Sequence, residues 1–312
     1  MSKIFAISPV GLSTPMLFET FEKTFQEQGH SFVDSIEYAD IIFFDFHSGL
    51  FGYDWNLINR VLELRLPVIT FDAFDHFTGE GYESTFAQRL ERDIDVQWNL
   101  AYRFFYVNDL VKVCFMRKMS KTVKFPSNSY PLELIQYTDH DFLLTDKVEL
   151  FSRPIDICFI GNKATPRNNI CEGLSKHFKC DFVLGEERLE HNEWLNRHRR
   201  SNLFIECGGG GESGGGFRSE RTYQLITISP RLACYDEQLV ENDFVDMEDT
   251  IIVGDALGRL KDGDVEKIKS VINDKDKLYD MYLKGVDRIH KYFNAEYRAN
   301  YVLDVLKKNN VI

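Results

Sequence analysis

Apolar positions in this chain fall in two kinds of run, and the two alternate. Short unbroken runs at 3–8 (KIFAIS), 39–46 (ADIIFFDF) and 66–71 (LPVITF) predict strands of a central parallel sheet, with a further strand at 30–36. Between them lies helical spacing. Leu17, Phe18, Phe21 and Phe25 share one face of a helix over 16–28, which Gly29 ends. Asp54 is placed to cap a helix over 54–64. The remainder of the first half predicts a polar helix at 83–99, strands at 103–107 and 113–116, a loop at 126–131, and a polar, acidic linker at 137–147.

The alternation then begins again. Strands are predicted at 155–160 (IDICFI), 180–184, 203–207, 231–235 and 250–253. Helices are predicted at 167–178, with Ile170, Leu174 and Phe178 on one face, and at 191–200. Three closing helices follow at 264–272, 275–290 and 295–307. Strand and helix in alternation with short connections is the mark of open α/β sheets. The chain is long enough for two domains, read as 1–148 and 149–312, each Rossmann-like, with helices at the C-terminus.

One stretch departs from the pattern. Seven of the nine residues from Gly208 to Gly216 are glycine, and the stretch sits between a buried strand and a helix that opens near Phe217 and Arg218. Glycine lets a backbone turn sharply and approach a ligand closely. A helix start offers unpaired N–H groups and the positive end of a dipole, which favour anions. Arg218 and Arg221 add guanidinium forks suited to phosphate. The reading is a site for a nucleoside diphosphate; a plain flexible surface loop is the alternative. The run matches neither G-x-x-x-x-G-K-[ST] nor a G-x-G-x-x-G after the first strand, which sets aside those two nucleotide fingerprints.

Composition narrows the class. Hydrophobic residues make up 44% and charged residues 28%, the balance of a folded globular chain. The net charge of −12 argues against a protein that holds nucleic acid by bulk electrostatics. The basic clusters Arg117, Lys118, Lys121, Lys124 and Arg197, His198, Arg199, Arg200 keep a nucleic-acid acceptor as a less favoured alternative. None of the six cysteines forms C-x-x-C, which points to small buried side chains in a reducing compartment. The opening MSKIFAISPVG lacks a signal-peptide pattern and no apolar run approaches the length of a membrane span, so the expected location is cytoplasmic.

Several motifs resemble glycosyltransferases of the GT-B architecture. IDICFIGN, followed by an arginine and a helix, looks like the strand that opens the donor domain in spore-maturation-type and group 1 enzymes. GGGFRSERTYQLITISPRLA looks like the family stretch G-x-R-x-x-E-A-L-A-x-G-x-P-x-I. IHKYFNAEYRANYVLDVL resembles the family's closing helices. The resemblance covers residues 153–308 and reaches the first half only in the order of strands and helices.

The resemblance implies two Rossmann-like domains facing a cleft, and transfer of a sugar from a nucleotide-diphosphate sugar to a hydroxyl acceptor. It implies a nucleotide sugar as co-substrate, no tightly bound cofactor and no metal. The acceptor would be a glycan, a lipid-linked molecule or a small molecule. Donor-binding positions become Gly161, Asn162, Arg167, Gly215, Gly216, Arg218, Glu220, Arg221 and Gln224. An inverting enzyme needs a base on a first-domain loop after a strand, for which His47, Asp72 and Asp75 are the candidates. A retaining enzyme needs none. Two positions depart from the family: Gln224 stands at its ribose-binding glutamate and Ser229 at its glycine, with Glu220 one turn back as a substitute. A glutamine binds a sugar hydroxyl without the charge-assisted strength of a carboxylate. These departures leave a second reading open, a degenerate relative that binds nucleotide or sugar without turnover.

Overall fold

Residues 3–7 form strand β1 (Lys3–Ile7), with Ile4 fully buried, and it is the partner of two other strands. The computed structural model describes residues 1–7, 15–45, 54–72, 105, 107–116, 119, 127–132, 144–185, 189–208, 221–236, 240 and 242–312; residues 15–20, 45, 72 and 221 are described by their backbone. The expected helix at 83–99 and the glycine-rich residues from 209 onward lie outside these.

The first sheet comprises β1, β2 (Ser31–Phe32), β3 (Ile41–Asp45), β4 (Val68–Asp72), β5 (Val111–Met116) and β6 (Ser129–Pro131). Its order is β2-β1-β3-β4-β5-β6 and every pair is parallel. Helices α1 (Pro15–Glu27) and α2 (Trp55–Leu64) supply the connections, and Asp54 caps α2 by accepting the Asn56 N–H at 2.9 Å, as its position in the sequence implied.

One face of this sheet is filled by aromatic rings. Phe25 meets Phe21, Phe32 and Phe43 edge to face, and Phe71 stacks on Phe115 at 5.3 Å. Such pairs add about 0.5–1.5 kcal/mol each beyond the area they bury.

Three local expectations change. The strand expected at 30–36 stops after Phe32, because Ser35 caps a 3-10 turn at Ile36–Tyr38 through the Glu37 N–H. Phe105 and Val107, expected in a strand, are helical; a run of four apolar residues has no period long enough to separate the two states. Ser129–Pro131, expected as loop, adds an edge strand, a place where proline is tolerated.

The second sheet comprises β7 (Ile155–Gly161), β8 (Cys180–Leu184), β9 (Ser201–Cys207), β10 (Arg231–Cys234) and β11 (Thr250–Val253), ordered β11-β10-β9-β7-β8 and again wholly parallel. Its helices are α3 (Lys147–Phe151), α4 (Thr165–Ser175), α5 (His191–Arg199), α6 (Arg221–Ile226), α7 (Asp264–Ile272) and α8 (Lys275–Tyr292). Helix α3, capped by Asp146, begins at the last residue of the segment read as linker.

The amino ends of this sheet are tied by a buried polar knot. The Tyr282 hydroxyl accepts the Thr145 N–H at 2.7 Å and donates to the Thr227 carbonyl at 2.8 Å. Thr145 Oγ1 donates to the Ile228 carbonyl, and Arg153 donates to the Ser201 carbonyl and to Thr145 Oγ1.

The chain divides into two compact units: Met1–Gln136 with Leu239–Glu241 and Ala295–Ile312, and Tyr137–Gln238 with Asn242–Asn294. The closing helix α9 (Ala295–Lys308) therefore belongs to the first unit, not to the C-terminal domain expected to hold it. The reason is its apolar stripe. Ala299, Val302, Leu303 and Leu306 are buried with Ile4, Phe21, Phe25 and Phe43, and Asn309 donates to the Tyr130 hydroxyl at 2.9 Å.

Candidate functional site

In the second sheet, β8 lies on one side of β7 and β9 on the other. The order thus reverses between β7 and β9, and ligands of open α/β sheets bind outside the carboxyl ends of the strands at such a point. Those ends are Gly161 and Cys207, and the glycine-rich stretch begins immediately after Cys207.

Arg167 spans the two ends. It stands in the first turn of α4, just after Pro166, whose fixed φ suits the start of a helix. Its Nε donates to the Cys207 carbonyl at 3.0 Å and its Nη1 to the Asn162 carbonyl at 3.1 Å. The guanidinium lies over the Phe159 ring, 5.7 Å from its centroid. Gly161 allows this closeness: a Cβ there would stand 2.9 Å from the Phe159 ring. Two of the arginine's donors therefore hold backbone carbonyls at the strand ends. Asn162 is exposed beside them.

The turn after β11 braces the start of α4. Asp255 accepts the N–H groups of Leu257 and Arg259, and the Leu257 carbonyl accepts from Asn169 at 2.8 Å. Gly258 has φ +76°, and a Cβ on it would fall 2.0 Å from the Pro166 carbonyl oxygen, so no other residue fits without moving α4.

A buried ionic network lies on the other side of β9. Glu206 accepts from Arg231 Nε at 2.6 Å and from the Thr222 hydroxyl. Arg231 also donates to Asp236 at 2.8 Å, and its guanidinium faces Phe244 at 5.3 Å. Buried charges persist only when paired and hydrogen-bonded. Thr222 follows Arg221 directly, so the network fastens the first turn of α6 to the end of β9. Sequence reading passed over this network. Its signal was a carboxylate, Glu206, between Ile205 and Cys207 at the end of the apolar run that begins at Leu203.

The structure thus brings Gly161, Asn162 and Arg167 to one end of one sheet, next to the root of the glycine-rich stretch. Arg221 opens α6 and Gln224 is half-buried within it. Ser229 is fully buried, and its N–H donates to the Leu225 carbonyl at 3.0 Å. Gly215, Gly216, Arg218 and Glu220 lie outside the described residues. In the first unit, Asp72 is the last residue of β4, in register with Met116; His47 and Asp75 lie outside the described residues. Among the described residues no group of three or more His, Cys, Asp or Glu side chains is placed to hold a metal ion. No described helix is long and apolar enough to cross a membrane.

No family model and no curated protein matches the sequence. Solved structures do match. HepE from Anabaena, in complex with UDP, aligns with a TM-score of 0.59 at 9% identity, over 99% of this chain and 100% of that one. A glycosyltransferase from Rickettsia africae aligns with a TM-score of 0.52 at 10% identity, over 99% and 98%. This chain has the GT-B glycosyltransferase fold. In this fold both sheets are wholly parallel and both reverse order one strand in from an edge, at β1/β3 and at β7/β9.

Proposed function

We propose that the chain is a glycosyltransferase that binds a nucleoside-diphosphate sugar at the carboxyl ends of β7 and β9 and transfers the sugar to a hydroxyl acceptor. One observation carries the reading most: the Arg167 bridge between the Asn162 and Cys207 carbonyls, at the order reversal and at the root of a glycine-rich stretch. The fold likeness to a protein solved with UDP supports a uridine nucleotide as the first ligand to try.

In this reading the bond from the anomeric carbon to the diphosphate breaks, and a bond to the acceptor oxygen forms. Charge gathers on the departing diphosphate. Preorganised donors stabilise it best, since they need no rearrangement as the reaction proceeds. Arg218, Arg221 and backbone amides around Gly215 and Gly216 take that role in place of a metal ion. Gly161 and Asn162 line the approach, with Arg167 holding them. Gln224 and Glu220 meet sugar hydroxyls. If the reaction inverts, the acceptor proton goes to His47, Asp72 or Asp75. A glycan, lipid-linked or small-molecule acceptor suits the acidic chain better than nucleic acid.

A second reading is a degenerate relative that binds without turnover. Gln224 in place of a carboxylate, and the buried Ser229 where a glycine was expected, favour it.

The test is a thermal-shift screen of UDP, GDP, ADP, CMP and their sugars on wild type and Arg221→Ala. A ligand at a hundred times its Kd adds about 2.7 kcal/mol of stability. The expected result is a rise in Tm with one nucleotide, lost in Arg221→Ala. Hydrolysis of the matching sugar nucleotide then separates enzyme from binding protein. No shift with any nucleotide at millimolar concentration would overturn both readings.

A further inference from the structure

Cys207 and Cys234 are the last residues of β9 and β10, and the two strands pair in parallel with these residues in register. Registered neighbours on parallel strands point to the same face, and strand spacing places their Cα atoms about 4.7–4.9 Å apart. That lies inside the window of about 4.4–6.8 Å that a disulfide spans. Both side chains are buried in the same apolar cluster. The Cys207 thiol lies 3.7 Å from the Gly208 carbonyl oxygen.

The other cysteines of this unit are placed differently. Cys158 is in register with Asp181, and Cys180 with Ile157, so those two are offset by one position and face opposite sides of their sheet. Cys171 comes from α4, on the same side as the pair, and burial pushes its thiol up to about 12. Cys114 belongs to the first unit.

We propose that Cys207 and Cys234 are a redox modification site: a dithiol that closes to a disulfide when a hydroperoxide oxidises it, tying β9 to β10 at the root of the glycine-rich stretch. The site is independent of what the protein transfers. Both thiols sit at strand ends, and Cys207 is the one that adjoins the glycine-rich stretch. The neighbouring Cys234 side chain holds the Cys207 thiol below its ordinary pKa, while Cys207 and burial push that of Cys234 up. Cys207 is therefore the attacking thiolate. Its sulfur attacks one oxygen of the hydroperoxide; the S–O bond forms, the O–O bond breaks, and the departing oxyanion, hydroxide in the case of hydrogen peroxide, takes the proton that the Cys207 thiol released. The Cys234 sulfur then attacks the Cys207 sulfenic acid as its own proton goes to the departing hydroxide. The S–S bond forms, the S–O bond breaks, and water leaves. Two electrons pass from the two thiols to one hydroperoxide.

The test uses the full folded chain, treated with stoichiometric hydrogen peroxide, denatured in N-ethylmaleimide and weighed intact. The expected result is loss of two of the six thiols, with Cys207 and Cys234 in one cross-linked peptide pair, both restored by dithiothreitol. Cys234→Ser should stop at the sulfenic acid and take up one dimedone. Six labelled thiols after peroxide, or a cross-link through Cys171, would overturn the proposal. The peptide map of the wild-type chain decides the matter even where a serine variant folds poorly.

Discussion

The two sheets share an all-parallel design but are held together differently. Among the described side chains, the strands of the first sheet bury no charge; rings and aliphatic groups fill both faces. The second sheet buries Glu206 and Arg231 within adjacent strands, ties Thr222 and Asp236 to them, and closes its amino ends with the Thr145, Arg153 and Tyr282 knot. Apolar packing tolerates small changes in shape, because dispersion is non-directional and neighbouring side chains relax. A buried polar network does not, because losing one partner leaves the others desolvated and unpaired. The first sheet is thus a packed platform. The second has strand ends and helix starts fixed in place by directional bonds, which hold them more rigidly than packing alone.

Substitutions can break or sharpen this contrast, with hydrogen exchange of strand amides reading each sheet separately. The largest effect belongs to Arg231→Met, which removes the cation between Glu206 and Asp236. It is expected to cost about 3–5 kcal/mol, seen as faster exchange in β9 and β10. Tyr282→Phe leaves the Thr145 N–H without its acceptor and should cost about 1–3 kcal/mol, confined to the second sheet. Ile69→Val, in the fully buried centre of β4, should cost about 0.5–1.5 kcal/mol and spare β9 and β10. Equal costs for Arg231→Met and Ile69→Val would mean that the buried network holds nothing the packing does not already hold.

Much of the fold was legible along the chain, and the misses have identifiable causes. Apolar runs such as IDICFI and ADIIFFDF were readable as strands, because they are rich in isoleucine and phenylalanine and are bounded by turn-forming residues such as Pro154, Gly161 and Gly49. RFFYV at 103–107 did not separate helix from strand, because four apolar residues in a row carry no period; Phe105 is helical and packs against Phe44 at 5.2 Å. SYP at 129–131 carries no strand signal of its own and becomes one only because β5 offers an unpaired edge. At the candidate site, glycine richness and arginine spacing drew attention to the region. They did not reveal that Arg167 grips two backbone carbonyls, since residue type states which bonds a group can make, not which acceptors the fold brings near.

By itself the sequence determined the α/β alternation, the existence of two sheet-forming halves, the glycine-rich stretch and the chemical character of the groups beside it. These rest on local periodicity and residue chemistry, which are written along the chain. The strand order, the order reversal between β7 and β9, the pairing of Glu206 with Arg231 and of Cys207 with Cys234, and the membership of α9 in the first unit were decided by tertiary structure. Amphipathic spacing specifies that the face bearing Ala299, Val302 and Leu303 must be buried; only packing against Ile4, Phe21 and Phe25 specifies where.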